Sequence, residues 1–461
     1  MSDDMRFERR MSDSDALMWG IEKDPLLRST ITAVSLFDRP PDQERLRDRV
    51  ERGTCLIPRL RQRVVSAPLV ASPPRWVFDP NFDLDYHLRR VRAPAPGDRR
   101  ALLDLAEPIG MQSFDRARPL WEFTVVEGLA DGKAAVIQKL HHSITDGVGA
   151  IKLAMVLFDL EREPDDPGHT PAAAEAEHPS PWGLTLEALR HERRRQLGIA
   201  RRAVGSATRA VRRPAANLRS IVELAASAGR ILAPATTPHS PVMTERSLSV
   251  SFDTISVPLD ETKNAAKAAG GKLNDAFLAA VCGGMRLYHE HHGDTIEQLR
   301  TTMPISIRDE TTETLAGNQF VPARFLIPIG IRDPIERMRV IRELVAFQRN
   351  EPALTFTDAI AGILNRLPTA VVTQLFGSML KGVDFVTSNV PGVPVPVFFA
   401  GAALESQVAF GPLTGAAANV TLVSYLDDLH IGVNMDSAAI PDRDVFIECL
   451  REGFDEVRKV A

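Results

Sequence analysis

The pattern of apolar and polar positions changes repeatedly along the chain, and each change predicts a new element. Residues 30–37 and 134–140 are runs of β-branched and apolar side chains, which are typical of strands. Residues 247–259 alternate between apolar and polar over much of their length, as a half-buried strand does. After the first strand, Pro41-Asp42 starts an amphipathic helix with apolar residues on one side and arginines on the other. Strands and helices of ordinary length therefore follow one another along the chain.

Other stretches predict where elements begin and end. A helix over residues 102–107 should be ended or distorted by Pro108 and Gly110, the proline because it lacks the amide hydrogen that helical bonding needs. Residues 82–88 have an extended character, and Asn274 or Asp275 is a natural N-cap for the apolar helix that follows. The other predicted elements are a helix from Asp260 to Ala269 that Gly270-Gly271 ends, a strand over 321–329, a helix from Asp333 to about Asn350, a hairpin of 419–426 with 429–435, and a closing helix from Pro441.

Length, charge and cysteine usage restrict the class of protein. At 461 residues the chain is too long for one compact core, so two large domains are expected. A net charge of -5 and an aromatic content of 6% argue against a nucleic-acid-binding protein. The three cysteines are odd in number and far apart, which disfavours a disulfide framework and fits a reducing compartment. The first ten residues lack the apolar core of a signal peptide and no long uncharged apolar run is present, so a cytoplasmic location is expected.

Two consecutive stretches differ from the rest of the chain. Residues 161–181 are rich in Pro, Ala, Glu and Asp, which predicts a linker or mobile crossover. Residues 182–232 are helical and rich in arginine, and Pro214 should break that helix in two. Three interpretations of the arginines stay open: a helix lying on an anionic membrane or lipid-droplet surface, a solvated helical linker joining two halves, and a face paired with acids elsewhere in the chain. The predicted domains are residues 1–181 and 244–461, joined by a basic helical linker at 182–243.

Candidate chemistry follows the strand at 134–140, where the sequence reads His141-His142-Ser143-Ile144-Thr145-Asp146-Gly147. A strand that stops at a turn leaves its last side chains at a rim that a solvent channel can reach. A histidine at that rim can titrate near neutrality and move a proton. Asp146 can fold back to fix the loop, and Gly147 can adopt a positive φ. The geometry suits a general base, although a polar strand end before an Asp-Gly turn has the same pattern.

A metal site is not expected. Neighbouring histidines on a strand point to opposite faces, so His141 and His142 cannot both face one ion. The second histidine-rich run, His289-Glu290-His291-His292, precedes Gly293-Asp294 and is typical of a polar helix end.

The run from His141 to Gly147 resembles the HHxxxDG motif of the bacterial wax ester synthase/acyl-CoA:diacylglycerol acyltransferase family. That family belongs to the CoA-dependent acyltransferases with a chloramphenicol acetyltransferase-like fold. Peptide-synthetase condensation domains carry a similar string, but other stretches separate the two. These are Pro119-Leu120-Trp121-Glu122, Asn274-Asp275, Met303 to Arg308, Gly317-Asn318-Gln319-Phe320 and Asn389-Val390-Pro391-Gly392, which resemble the family's other motifs. The resemblance runs from about Met11 to about Val457 and is interrupted only between Glu161 and Met243.

The resemblance implies an α/β fold of two chloramphenicol acetyltransferase-like domains, with mixed sheets flanked by helices and an active-site channel between the halves. It implies an O-acyltransferase that moves a long-chain fatty acyl group from acyl-CoA. Diacylglycerol, which gives triacylglycerol, and long-chain alcohols, which give wax esters, are the implied acceptors. Acyl-CoA is then a substrate, and no cofactor is expected because a thioester is already activated.

The same resemblance implies roles for individual residues. His142, the second histidine, would be the general base, and Asn274 is the candidate donor to the oxyanion. Asp146 would hold the loop and Gly147 would form its turn. His141 and Asp275 would support the site. Pro119, Leu120 and Trp121 would then line the acyl or acceptor channel.

Two other functions stay open at this point. One is a condensation or transesterification enzyme that takes its acyl group from a carrier-protein thioester. The other is a non-catalytic lipid-binding homologue that keeps the fold. Acyl chain length, the preferred acceptor, the residues that contact CoA and the oligomeric state do not follow from the sequence.

Overall fold

Two six-stranded sheets and a two-stranded hairpin organise the described part of the chain. The computed structural model describes residues 7–70, 72–144, 154–164, 169–212, 237–306, 320–350 and 357–460. Its strands are β1 (Thr30–Phe37), β2 (Gln62–Val65), β3 (Arg75–Phe78), β4 (Leu88–Arg92), β5 (Trp121–Glu127), β6 (Ala134–His141), β7 (Val250–Pro258), β8 (Gln298–Ser306), β9 (Phe320–Pro328), β10 (Phe385–Val390), β11 (Phe398–Phe399), β12 (Ala402–Phe410), β13 (Ala418–Tyr425) and β14 (Asp428–Asp436).

Helices cover both sheets. They are α1 (Asp13–Ile21), α2 (Gln43–Leu56), α3 (Leu84–His87), α4 (Arg99–Met111), α5 (Pro181–Arg212), α6 (Leu259–Ala268), α7 (Leu273–His291), α8 (Pro334–Arg349), α9 (Thr357–Leu364), α10 (Thr369–Leu380) and α11 (Arg443–Arg458). Within the described ranges, no helix is both long enough and apolar enough to cross a bilayer.

Each sheet mixes parallel and antiparallel pairs, which confirms the predicted mixed α/β architecture. The first sheet has the order β11-β12-β1-β6-β5-β4, and only β4 and β5 in it run parallel. The second has the order β7-β14-β13-β10-β8-β9, in which β10 runs parallel to both of its neighbours. The long helix α7 is buried against the second sheet, and a continuous apolar core fills the space around it.

The first sheet includes strands from the C-terminal part of the chain. β12 comes from the C-terminal part of the chain, yet it pairs antiparallel with β1 from Thr32↔Phe410 to Phe37↔Leu404. Its backbone also lies close to the second sheet, because a Cβ added at Gly432 on β14 would be 2.1 Å from the Ala409 carbonyl oxygen. The predicted boundary near residue 243 stays a prediction, but residues 398–410 do not follow it, since they complete the first sheet.

Several predicted ends of elements are confirmed. Asp42 caps α2 by accepting from the Arg45 amide, and Asp333 caps α8 by accepting from the Glu336 amide. α6 ends at Ala268, and Gly270 just beyond its C-cap has a φ of +66°, in the left-handed region that glycine adopts most easily. The predicted hairpin is β13 with β14, closed between Tyr425 and Asp428.

Two predictions about local structure are wrong. α4 continues through Pro108 to Met111, because this proline falls in the last turns, where few helical bonds remain to be lost, while Leu102, Leu103 and Ala106 still pack into the core. Residues 82–88 are not extended throughout. Asp83 accepts a hydrogen bond from the Asp85 amide and starts the short helix α3.

The basic helix α5 is docked on the first half of the protein. Leu184 and Ala188 are buried, and Arg195 forms a bidentate ion pair with Asp13 at 2.6 and 3.0 Å. Glu187 pairs with Arg75 at 2.9 Å. A freely solvated linker would not make these contacts, so the described start of α5 is part of the folded body. Pro214 and the predicted break lie outside the described residues.

His87 is a fully buried histidine between aromatic rings. Its ring stacks on Trp121 at 4.6 Å and on Phe82 at 5.4 Å. Nδ1 lies 2.6 Å from the Trp121 carbonyl oxygen, to which it donates as an N–H, whereas Nε2 has no partner. Burial lowers the pKa of His87 from 6.5 to about 4, because the charged ring would lose its hydration.

This lowered pKa predicts acid sensitivity. Between about pH 6.5 and pH 4 the unfolded chain binds a proton at this residue and the folded chain does not, so stability falls as the pH falls. At pH 5 the loss relative to pH 7 should be about 2 kcal/mol from this residue. Urea unfolding of wild type and His87→Gln at both pH values tests it. The variant should show a smaller pH dependence, and exposed His291→Gln should keep the wild-type dependence. An unchanged dependence in His87→Gln would contradict the assignment.

Candidate active site

The candidate site lies at the end of β6, a central strand of the first sheet. All eight residues of β6 are buried, and its last residue, His141, pairs with Thr30 of β1. The chain then turns at once, with the Ile144 amide donating to the His141 carbonyl at 3.0 Å. His142 therefore lies just beyond the strand and is half-buried, whereas His141 is 1% exposed.

His141 is held through both ring nitrogens. Nε2 lies 2.8 Å from Glu22 Oε1, and Nδ1 lies 2.7 Å from the Ser143 hydroxyl. The edge of the Trp19 ring contacts the imidazole, with 5.4 Å between centroids. The ring is therefore fixed in the first half of the protein and has no ring nitrogen left to serve a substrate.

Glu22, the C-cap residue of α1, is a site residue that the sequence did not reveal. Besides His141, its Oε1 accepts the Ser29 amide at 2.7 Å. Ser29 in turn accepts the His142 amide at 2.8 Å through its carbonyl. Burial opposes ionisation of Glu22, but the attraction of His141 and the hydrogen bonds from His141 and Ser29 outweigh it and hold the pKa of the carboxyl below its usual value. One carboxylate thus fixes the ring of His141 and, through Ser29, the backbone of His142.

Asn274 lies on the second half, at the start of α7. The N-cap is Lys272, not Asn274 or Asp275 as predicted, and Asp275 instead accepts the Lys272 amide at 2.8 Å. This contact pairs the Lys272 amide with Asp275, so Asn274 is neither the N-cap residue nor the partner of the N-cap amide. The carboxamide Oδ1 of Asn274 faces Nδ2 of Asn389 at 3.4 Å, while its own Nδ2 is buried with no hydrogen-bond partner.

The remaining predicted residues divide into two groups. Asp146 and Gly147 lie outside the described residues, so their roles stay predictions. Pro119, Leu120 and Trp121 are buried in the core, where Trp121 Nε1 donates to the Leu60 carbonyl at 2.8 Å. This hydrogen bond gives Trp121 a structural role, and the predicted part of these three residues in the channel stays a prediction.

No metal ligand set is formed by the described residues. No three His, Cys, Asp or Glu side chains among them are grouped closely enough to hold an ion. In the histidine-rich end of α7, His289 uses both ring nitrogens, one 2.7 Å from the Met285 carbonyl and the other 2.7 Å from the Ser240 hydroxyl.

Comparison with known families decides between the functions left open. The model of the wax ester synthase/diacylglycerol acyltransferase catalytic domain matches residues 11–277, and that of the C-terminal domain of the same enzymes matches residues 316–458. The chain belongs to this family. It is thus an acyltransferase, and the family does not favour the carrier-protein alternative.

Relatives of the wax ester synthase/diacylglycerol acyltransferase family match nearly the full chain. A Mycobacterium tuberculosis protein named as a diacylglycerol O-acyltransferase is 40% identical over 98% of this chain and 93% of its own length. Another from the same organism is 28% identical over 89% of this chain and 87% of its own length.

Solved structures confirm the two-domain chloramphenicol acetyltransferase-like fold. The wax ester synthase/diacylglycerol acyltransferase of Marinobacter aquaeolei is 22% identical, with a TM-score of 0.63 over 97% of this chain and 98% of that chain. The first condensation domain of the calcium-dependent antibiotic synthetase is 13% identical, with a TM-score of 0.62 over 98% of this chain and 95% of that chain. At these identities the likeness concerns the fold alone, and the family assignment rests on the sequence matches.

The position of Glu22 generates a prediction for this family member. Glu22→Ala removes the acceptor for His141 and for the Ser29 amide, so turnover should fall at least tenfold and stability by about 2 kcal/mol. Glu22→Gln keeps one acceptor oxygen and should retain more of both. Steady-state kinetics and urea unfolding measure the two effects, with Glu44→Ala on the exposed face of α2 as control. Full turnover in Glu22→Ala would show that the carboxylate does not organise the site.

Proposed function

We propose that this acyltransferase moves a long-chain fatty acyl group from acyl-CoA to diacylglycerol, and also to long-chain alcohols, with His142 as the general base. The proposal is supported by the family assignment and by the relatives named as diacylglycerol O-acyltransferases. The observation that carries the choice of base is the occupation of both ring nitrogens of His141. That arrangement leaves proton transfer to the second member of the pair.

The proposed reaction needs one proton carrier and one hydrogen-bond donor. His142 accepts the proton of the acceptor hydroxyl while the hydroxyl oxygen attacks the thioester carbonyl. The carbonyl oxygen becomes an oxyanion, which the carboxamide N–H of Asn274 stabilises. When the tetrahedral intermediate collapses, the bond to sulfur breaks and the CoA thiolate takes the proton back from His142. The thioester is already activated, so the proposal needs no cofactor, no metal and no covalent enzyme intermediate.

The two groups are proposed to face one channel between the halves. His142 belongs to the end of β6 in the first half, and Asn274 to the start of α7 in the second. Asp146 and Gly147 are proposed to hold the loop after His142 in its turn. Pro119, Leu120 and Trp121 back this site from the core, and Asp275 secures the helix start that carries Asn274.

His142→Ala should abolish acyl transfer, because it removes the proposed base and the neighbouring His141 has both ring nitrogens occupied. The measurement is the rate of product formation from labelled palmitoyl-CoA with diacylglycerol and, in parallel, hexadecanol. Exposed His291→Ala is the matched control and should keep full turnover. Turnover in His142→Ala within tenfold of wild type would remove the proposed base. If the wild-type protein forms no product with either diacylglycerol or hexadecanol, the proposed acceptors are wrong.

We further propose that the outer face of α5 binds an anionic lipid surface. Trp182, Leu186, Leu189 and Leu197 lie on this face and are between 49% and 76% exposed. Arg190, Arg193 and Arg194 are exposed beside them. The two acids of the same segment are engaged elsewhere, since Glu187 pairs with Arg75 and Glu192 with Arg366. The exposed face is therefore apolar and basic, a combination that favours anionic lipid headgroups.

The α5 face is connected to the candidate site through side-chain contacts and helix α1. Arg195 ties α5 to Asp13 at the start of α1, and α1 ends at Glu22, which contacts His141. Two further exposed apolar side chains follow the Arg366–Glu192 pair in the chain, Leu367 in the turn between α9 and α10 and Val371 in the first turn of α10. A lipid acceptor that reached the protein from a membrane or lipid droplet would then enter close to the end of β6.

The lipid proposal predicts salt-sensitive binding to vesicles. Replacing Arg190, Arg193 and Arg194 by glutamine should weaken binding to phosphatidylglycerol-containing vesicles about 10- to 100-fold, because each arginine contributes about 1 kcal/mol near such a surface. Binding of the wild type should fall as salt rises. The control carries the same charge change at exposed Arg339 and Arg349 of α8 and at exposed Arg332 just before that helix. Equal loss in both variants, or salt-independent binding, would contradict a specific role for α5.

A further inference from the structure

The Asn274 carboxamide has one engaged end and one open end. Its Oδ1 lies 3.4 Å from Asn389 Nδ2, and its Nδ2 is buried without a partner. Buried polar atoms are nearly always hydrogen-bonded in folded proteins, so a buried donor without a partner points to a ligand that supplies the acceptor. Because Asn389 already binds Oδ1, Nδ2 is the atom that remains for that ligand.

The position of Asn389 is fixed firmly enough to hold the Asn274 carboxamide in one orientation. It lies near the end of β10 and pairs in register with Leu422 of β13, to which β10 is paired along its whole length. The turn after it is pinned, because the Gly392 amide donates to the Ser424 hydroxyl at 3.0 Å. A Cβ at Gly392 would lie 1.4 Å from the Ser424 carbonyl oxygen, so only glycine fits there. The Pro-Gly turn therefore fixes the strand end that carries Asn389.

We propose that Asn389 is a positioning residue, which orients the Asn274 carboxamide so that Nδ2 rather than Oδ1 faces the reacting carbonyl. The amide of Asn389 donates to Oδ1 of Asn274, and a carboxamide held by its oxygen presents its nitrogen on the opposite side. A reversed carboxamide would place an oxygen against the developing oxyanion and repel it. Asn389 does not touch the substrate in this arrangement. The inference rests on the proposed role of Asn274 as oxyanion donor.

A double-mutant cycle tests the dependence of one residue on the other. Asn274→Ala should lower kcat about 10²- to 10³-fold, as loss of an oxyanion donor does, with a modest change in KM. Asn389→Ala should lower kcat about tenfold with KM little changed. The double variant should be no slower than Asn274→Ala, because Asn389 has nothing left to orient. If the two effects multiply instead, Asn389 acts independently of Asn274 and the proposal is wrong.

An isosteric variant separates orientation from packing. Asn389→Asp keeps the shape but offers only acceptors, so it should draw Nδ2 of Asn274 towards itself and turn Oδ1 to the substrate. It should therefore lower kcat more than Asn389→Ala, and this difference should vanish in the Asn274→Ala background. Exposed Asn264→Asp is the matched control and should keep wild-type kcat. Equal turnover in Asn389→Asp and Asn389→Ala would overturn the orienting role.

The thermal unfolding midpoint and kcat together distinguish a misfolded variant, a wrong role for Asn274 and a wrong role for Asn389. The thermal unfolding midpoint shows whether each variant is folded, and Asn389→Ser replaces Asn389→Ala in the cycle if the latter does not fold. Wild-type kcat in Asn274→Ala would refute the proposed donor, and with it the role of Asn389. A slow Asn274→Ala combined with an unaffected Asn389→Asp would refute only the positioning role.

Discussion

The hydrogen bond between Glu22 and His141 is the contact on which the candidate site depends. It joins the end of α1 to the end of β6, and the same carboxylate oxygen holds Ser29 just before β1. Since β1 and β6 are paired along their whole length, the helix end, the strand start and the strand end form one unit. A charged hydrogen bond in a buried setting is stronger and more directional than a neutral one. This unit also holds the backbone of His142, because the His142 amide donates to the Ser29 carbonyl.

The part of the candidate site that lies on the second half is positioned by packing between the two halves. The segment that links the two halves in sequence does not set that position. β12 completes the first sheet while its backbone approaches Gly432 of the second. Phe252 of β7 stacks on Phe410 of β12 with 4.1 Å between ring centroids, and Arg100 of α4 donates to the Phe252 carbonyl. Asn274 and Asn389 belong to elements anchored in this second core. Their position relative to β6 is thus set by close-packed contacts, which yield little when the connecting segment varies in length.

Local features were predictable from the sequence, and distant contacts were not. The caps at Asp42 and Asp333, the end of α6 before Gly270 and the hairpin at Asp428 follow from residue types over a few positions. The helix through Pro108 was missed because core packing outweighed a local preference. Glu22 was missed because it lies 119 residues from His141, and an acid after a short helix carries no local signal. The motif resemblance supplied both His142 and Asn274, but neither the partner of His141 nor the contact to Asn389 could be read from spacing.

An unpaired buried donor such as Nδ2 of Asn274 costs the folded protein about 1–3 kcal/mol, so its persistence needs a reason. A helix start with a free carboxamide could relieve that cost by turning the amide towards any nearby carbonyl. Asn389 opposes such a rotation, because it occupies the oxygen and is itself fixed by the pinned turn at Gly392. In its proposed role as oxyanion donor, Nδ2 would not have to reorganise when negative charge develops on the substrate, and preorganisation of this kind lowers the barrier. Under that proposal, the stability lost in the resting protein is regained only in the transition state, where binding accelerates the reaction.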